Sequence, residues 1–123
     1  WCHHGTGAGI KQSAPLNKLE NLIGYFDADV YLIGHHHKKV AAPIDQLYMT
    51  HSKPYDVKHK TKLIACTGGF LKGYNANSKI AGRPQGNYVE KKLFAPVALG
   101  GIIVRLHPVH TEREDRLDIS VEL

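Results

Sequence analysis

Histidines in two short clusters are the residues of this sequence best suited to chemistry. The first cluster is His3 and His4, and the second is the run His35, His36 and His37. Neutral imidazole is the commonest nitrogen ligand for transition metals, and two imidazoles two residues apart in a loop can point in a similar direction. We therefore predict a metal site formed by His3, His4, His35 and His37.

The other histidines of the sequence stand alone. We interpret each of them as a surface or hydrogen-bonded residue: His51, His59, His107 and His110. The clustered histidines differ because several imidazoles that converge are hard to explain without a cation shared among them.

The elements around the clusters predict that the clusters meet. Trp1 and Cys2 read as the end of an apolar strand, and Val30–Ile33 reads as a buried strand. Between them, Ser13 and Pro15 predict a helix start. The apolar residues of this helix share one face: Leu16, Leu19, Leu22, Ile23 and Phe26. Strand, helix and strand form a βαβ unit, whose parallel strands end on the same side, so we expect the two clusters to converge.

The glycine-rich segment Gly5–Gly9 separates the first cluster from the predicted helix. It could offer backbone N–H groups to a phosphate, but it has neither a following Lys-Ser/Thr pair nor the order of a dinucleotide-binding motif. A plain connecting loop is the favoured interpretation.

Beyond His37 the pattern changes to all-β. Candidate strands lie near Leu47–Thr50, Lys62–Thr67, Gly69–Tyr74, Gly101–His107 and Arg116–Leu123. In the last of these, apolar and polar residues alternate, which predicts one buried and one solvated face. The segment Asn75–Gln85 is predicted to be a surface loop.

Length and composition favour one domain over residues 1–123, with a hydrophobic content of 42% that is sufficient for a core. Two cysteines provide no disulfide framework, which favours a reducing, cytoplasmic setting. No segment resembles a membrane span or a signal peptide, so we expect a soluble protein without a membrane partner.

Positive charge is concentrated around the second histidine cluster. Between Val30 and Lys92 there are 11 lysines and arginines against three acidic residues. This balance favours an anionic ligand, such as a phosphate ester, a nucleotide or nucleic acid. A solvated lysine-rich surface is the alternative for each individual lysine.

His3-His4-Gly5 after a strand, followed by Gly34-His35-His36-His37 after the next strand, resembles the last two metal motifs of the calcineurin-like metallophosphoesterases. The stretch Thr67-Gly68-Gly69-Phe70 with Tyr74 resembles the strand that follows in that family. The resemblance implies an α/β fold, namely part of an αββα sandwich in which one βαβ unit precedes a mostly antiparallel sheet.

The resemblance also implies roles for the histidines. His3 is similar to the strand-end ligand of the family, with His4 as the alternative ligand or a supporting group. His35 is similar to the ligand that shares a metal with His3, and His37 to the ligand of a second metal. Lys38 and Lys39 are candidates, by position only, for assisting the reaction at the phosphate, and His36, at the variable position of the motif, faces either the substrate or solvent. The implied cofactor is a pair of divalent ions, Mn, Zn or Fe, which activate water for hydrolysis of a phosphomonoester or phosphodiester.

The earlier motifs of that family, Asp-x-His, Gly-Asp-x-x-Asp and Gly-Asn-His, do not occur in the sequence, which begins at Trp1 without an initiator methionine. We therefore expect the chain to be the carboxyl-terminal part of such a domain, inactive without its amino-terminal half. The alternative hypothesis is a non-catalytic module that binds metal or nucleic acid.

Overall fold

The structure, a computed structural model, describes residues 1–7, 9–71, 74, 79–80, 83–84, 92, 94–112 and 115–123. Within these ranges it is a mixed α/β fold of one helix and mostly strands. The elements are β1 (Cys2–His3), α1 (Ala14–Leu22), β2 (Val30–Ile33), β3 (Lys39–Met49), β4 (Val57–Gly69), β5 (Lys79–Ile80), β6 (Arg83–Pro84), β7 (Gly100–Gly101), β8 (Ile103–His110) and β9 (Asp115–Glu122).

The main sheet has the strand order β1-β2-β4-β3, and β7 pairs with the end of β4. Strands β1, β2 and β4 are mutually parallel, whereas β3 runs antiparallel to β4. His3 lies opposite Ile33, and Ile33 lies opposite Cys66, so the three parallel strands end along one edge of the sheet. The predicted βαβ unit is confirmed, because α1 connects the parallel strands β1 and β2.

Helix α1 packs one apolar face on the sheet, as the sequence pattern predicts. Leu19 is fully buried, in a cluster with Tyr31, Ile33, Ile64 and Cys66. The helix begins after Ser13, and Pro15 occupies its first turn, although the Ser13 side chain makes no capping hydrogen bond. In the described ranges no helix is long and apolar enough to cross a membrane.

The hydroxyl of the buried Tyr31 ties the start of β2 to the turn that follows α1. It donates a hydrogen bond to the Phe26 carbonyl oxygen (2.7 Å) and accepts one from the Ala28 N–H (3.0 Å). Because both bonds close within a few residues, they hold the turn and the strand in one arrangement.

The strands β3 and β4 form a hairpin longer than the sequence predicts. The predicted strands Leu47–Thr50 and Lys62–Thr67 are only parts of β3 and β4. Pro43 interrupts the strand pattern of the sequence, yet in the structure it pairs with Leu63. The proline is tolerated because β3 is the outer strand of the described sheet, where a missing N–H leaves no partner unpaired.

The predicted strand Gly69–Tyr74 is wrong over the residues that the structure describes. Strand β4 ends at Gly69, and Phe70 follows it in an exposed bend. Gly68 has a φ of +87°, and a Cβ there would lie 2.2 Å from the Gly100 oxygen, so glycine is required where β7 pairs with the end of β4. Residues 72–73 lie outside the described ranges.

The segment predicted as the strand Gly101–His107 is divided between β7 and β8. The predicted loop Asn75–Gln85 lies largely outside the described ranges, which include from it only the short paired strands β5 and β6.

The predicted last strand is confirmed as β9, which pairs with β8 in a hairpin. Its alternation is correct, and Ile119 and Val121 are half-buried between exposed polar neighbours, but the apolar face as a whole is not buried as predicted. Leu106 and Leu117, which lie on that face, are 53% and 38% exposed. The reason is that β8 and β9 form a separate two-stranded sheet, so their apolar residues gain less cover than those of the main sheet.

Candidate metal-ligating site

The two histidine clusters lie where β1 and β2 end. The Leu32 N–H donates to the Trp1 oxygen (2.9 Å), and the Gly34 N–H donates to the His3 oxygen (3.1 Å). These bonds keep the two strands in step up to their last residues. His4 and the run that begins at His35 therefore leave the sheet side by side, at the carboxyl edge where α/β folds commonly bind ligands.

His4 and His35 form the central pair of the site. The His4 Nε2 atom lies 3.2 Å from the His35 Nδ1 atom. The rings meet edge to face, with centroids 5.1 Å apart and planes inclined by 74°. Two ring nitrogens at this distance can share a proton, or they can direct two lone pairs at one cation. The expected convergence of the clusters is confirmed for this pair.

The backbone of the second cluster is tightly folded. His35 and His37 have φ values of +62° and +53°, a left-handed conformation that few non-glycine residues adopt. The His36 N–H donates to the Gly34 oxygen at 2.7 Å, which closes a three-residue turn around His35. Such strained residues occur often at binding sites, where the surrounding structure holds them in place.

His3 is held by contacts with its neighbours in the sequence. Its Nδ1 atom accepts a hydrogen bond from the Gly5 N–H (2.8 Å), and its ring stacks on Trp1 with a 5.6 Å centroid separation. A neutral imidazole that accepts at Nδ1 carries its proton on Nε2. In this arrangement His3 has no free lone pair, and the residue that the structure brings to His35 is His4.

His37 follows the turn and is exposed, and it lies close to Gly69. A Cβ on Gly69 would lie 3.0 Å from the His37 Cβ, so the glycine makes room for this residue. Over the part of the chain that the structure describes, no group of three His, Cys, Asp or Glu side chains lies close enough together to hold a metal ion. The site consists of a histidine pair, with His3 and His37 beside it.

The His36 side chain is half-buried, and its ring meets the His35 ring edge to face, with centroids 5.7 Å apart. Its Nε2 atom is buried and has no hydrogen-bond partner within the described structure. Burial lowers the pKa of this imidazole, and the positive charge of Lys18 lowers it further. Both effects favour the neutral ring.

Lys38, a candidate for assisting the reaction, is buried next to the site. Its ammonium group donates hydrogen bonds to the carbonyl oxygens of Gly9, Ile10 and Lys11. Burial lowers the pKa of the Lys38 ammonium, because the charged form loses its hydration. The group faces the loop before α1, and its donors are directed at the backbone.

Thr67 lies beside the histidines, although the sequence predicts it only as part of a strand and not as a residue of the site. It lines a small pocket of about 280 Å³ together with Cys2, His3, His4, Leu32 and Gly34. Its hydroxyl oxygen lies 3.8 Å from where a Gly34 side chain would begin. In the sequence, this polar residue ends the apolar run before Gly68. Its position next to the histidines, however, follows only from the parallel pairing of β2 with β4.

Asp27 and Asp29 lie at the opposite end of β2, as the strand direction predicts. Lys62 contacts Asp27 at 2.6 Å, and Lys60 contacts Asp29 at 2.9 Å. The hydrogen bond from Lys62 is the main reason that the pKa of Asp27 is lowered. These carboxylates therefore belong to ion pairs along a groove of about 1200 Å³, and the histidine pair receives no carboxylate from them.

Chemically, the pair offers two nitrogen ligands from two strand ends, on a backbone fixed by the sheet and by a tight turn. Comparisons with protein-family models, with curated proteins and with solved structures give no match to this chain.

Proposed function

We propose that this chain provides the histidine half of a dinuclear metal centre that hydrolyses phosphate esters. One observation carries the proposal: the His4 Nε2 and His35 Nδ1 atoms lie 3.2 Å apart at the joint end of two parallel strands. The proposed architecture is part of an αββα sandwich, in which the main sheet and α1 form one half.

The separation of the two nitrogens fits a shared metal. In tetrahedral sites each nitrogen lies about 2.0–2.1 Å from zinc, so two nitrogens on one ion lie about 3.3 Å apart. The distance between His4 and His35 is close to this value. Because the two residues come from rigid strand ends, binding would require little rearrangement.

Two ligands do not complete such a centre, since catalytic zinc sites use three protein ligands and an open position. The proposal therefore includes carboxylate ligands from a polypeptide segment other than the residues described. Strand β1 has a strand neighbour on one side only within the described sheet, so a further strand can add next to His3. His3 and His37, the remaining predicted ligands of the two clusters, would serve a second ion, which for His3 requires a change of ring orientation because its Nδ1 atom accepts from the Gly5 N–H.

When bound, the metal pair would supply a water of lowered pKa and would neutralise charge on the phosphoryl group. His4 and His35 would bind the ion, and the turn around His35 would hold its ring in place. The excess of basic residues between Val30 and Lys92 would attract the anionic ester to this part of the chain.

Calorimetric titration of the protein with Zn²⁺ or Mn²⁺, followed by inorganic phosphate, tests the proposal. We expect metal binding, phosphate binding only after metal loading, and no hydrolysis of a phosphodiester by this chain alone. Metal binding without any affinity for phosphate would favour a plain metal-binding module. Metal-independent binding of an oligonucleotide would favour a nucleic-acid-binding module, and rapid hydrolysis would contradict the half-site.

A further inference from the structure

Lys38 is a charged residue enclosed by protein. Only 6% of its surface is exposed, although it follows directly after the surface run of histidines. An ammonium group carries three N–H donors, and the structure provides three carbonyl acceptors, Gly9, Ile10 and Lys11, at 2.5–2.9 Å. No donor remains for a phosphoryl oxygen.

We infer that Lys38 is a positioning residue whose ammonium group occupies a carbonyl cradle and joins the two loops that carry the histidine pair. The cradle, Gly9 to Lys11, belongs to the loop that follows His4. Lys38 itself ends the loop that contains His35. The buried ammonium group of Lys38 therefore links the two loops.

The surrounding contacts explain why this link is stiff. The Lys38 carbonyl oxygen accepts from the Gly68 N–H (2.9 Å), which anchors its backbone to the end of β4. The Lys11 oxygen also accepts from the Ala14 N–H at 3.2 Å, at the start of α1. Carbonyl oxygens bind a cation well only when several converge on it, and here the cation is part of the chain.

The cradle also brings the loop to the His36 ring. A Cβ on Gly9 would lie 4.0 Å from the His36 Cε1 atom and 2.2 Å from the Ala14 Cβ, so the loop passes closely between α1 and the second histidine cluster. A displaced loop would therefore disturb both clusters. The role of Lys38 in positioning ligands rests on the proposed function, whereas the cradle does not.

Hydrogen exchange on the Lys38→Ala variant tests the inference, with Lys39→Ala as the neighbouring control. We expect the Ala14 amide to exchange at least about tenfold faster in Lys38→Ala, because its acceptor is no longer fixed. The Leu63 amide, which donates to the Asp29 oxygen at 2.9 Å, should keep its rate. An unchanged Ala14 rate in Lys38→Ala would overturn the inference.

Chemical rescue separates the cradle from a general loss of packing. Propylammonium replaces the atoms that Lys38→Ala deletes, and it should restore slow exchange at Ala14, whereas tetramethylammonium, which has no N–H donor, should not. Equal effects of the two ions, or no effect of either, would contradict the cradle.

A measurement on the unmodified protein covers the case in which Lys38→Ala does not fold. In ¹⁵N-lysine spectra at neutral pH, the Lys38 ammonium protons should exchange slowly with water, unlike those of exposed Lys53. Fast exchange at Lys38 would overturn the inference. If the protein binds neither Zn²⁺ nor Mn²⁺, the proposed function fails, while slow exchange at Lys38 still supports the cradle.

Discussion

The Nε2 atom of His4 lies 3.2 Å from the Nδ1 atom of His35, although the residues are 31 positions apart in the sequence. The contact exists because β1 and β2 are parallel neighbours that end in step. Each histidine is the first or second residue beyond its strand, so the sheet brings the two residues together, and the turn around His35 fixes the second of them. The pair is therefore preorganised for a shared proton or a shared cation.

Removal of either member of the pair should weaken metal binding. We expect His4→Ala and His35→Ala each to reduce the affinity for Zn²⁺ by at least about tenfold, since even supporting residues of metal sites contribute that much. Calorimetry provides the affinities.

His51→Ala is the matched control, because His51 lies in the exposed hairpin turn between β3 and β4. His3→Ala should have a smaller effect than His4→Ala, since the His3 Nδ1 atom is occupied by the Gly5 N–H. Equal losses in all four variants would refute the assignment of the pair.

Gly5→Ala should destabilise the protein by roughly 2 kcal/mol or more. Gly5 has a φ of +87°, and a Cβ would lie 2.7 Å from the Ile33 Cγ1 atom, at the buried end of β2. Gly24→Ala is the control, because nothing lies within 4 Å of its Cβ position. Urea unfolding measures the stability of both variants. Similar stabilities would contradict the close approach of Gly5 to Ile33.

Tyr31→Phe should lower the free energy of unfolding by about 1–3 kcal/mol, because the Ala28 N–H and the Phe26 oxygen lose their partner. Tyr25→Phe, at a side chain that is 83% exposed, should change stability by less than about 0.5 kcal/mol. Thermal unfolding of the two variants is a direct comparison. A Tyr31→Phe variant as stable as Tyr25→Phe would argue against the hydroxyl as a structural link.

Stability should fall in acid partly because of Asp27. Its pKa is lowered below the ordinary value of 3.8, chiefly by the hydrogen bond from Lys62. The folded state therefore gains stability above that value, and the gain is lost as the pH falls through the lowered pKa.

We expect Asp27→Asn to be less stable than the parent protein at pH 7, and the difference to disappear at a pH below the lowered pKa. Because Asp27 is exposed, 1 M NaCl should reduce the difference. Urea unfolding across the pH range measures it, and a difference that persists unchanged in strong acid would contradict the ion pair.

The sequence predicts the βαβ unit because its signals are local. The apolar spacing around Leu19 and the run Val30–Ile33 report a helix and a buried strand, and the rule that parallel strands end together then brings the histidine clusters to one edge. The choice of His4 over His3 depends on ring orientation, which residue spacing does not determine.

Long-range packing determines the features of the fold and the site that the sequence pattern does not predict. The ammonium of Lys38 is enclosed by a loop 27 to 29 residues earlier, so its position in the sequence resembles that of a substrate-binding lysine although its donors face the backbone. Glycine is required at Gly68, where β7 pairs with the end of β4, and at Gly69, where His37 lies close to the backbone. Pro43 makes β3 difficult to predict from the sequence, but the proline is tolerated because β3 lies at the edge of the described sheet.

A Zn²⁺ titration that follows the ring nitrogens of His4 and His35 tests the central claim most directly. In ¹⁵N-histidine spectra we expect His4 Nε2 and His35 Nδ1 to shift together and to saturate at the same concentration of Zn²⁺, while His51 stays unchanged. If neither nitrogen responds to Zn²⁺, or if His51 shifts in parallel with them, the pair is not a metal site and the proposed function is wrong.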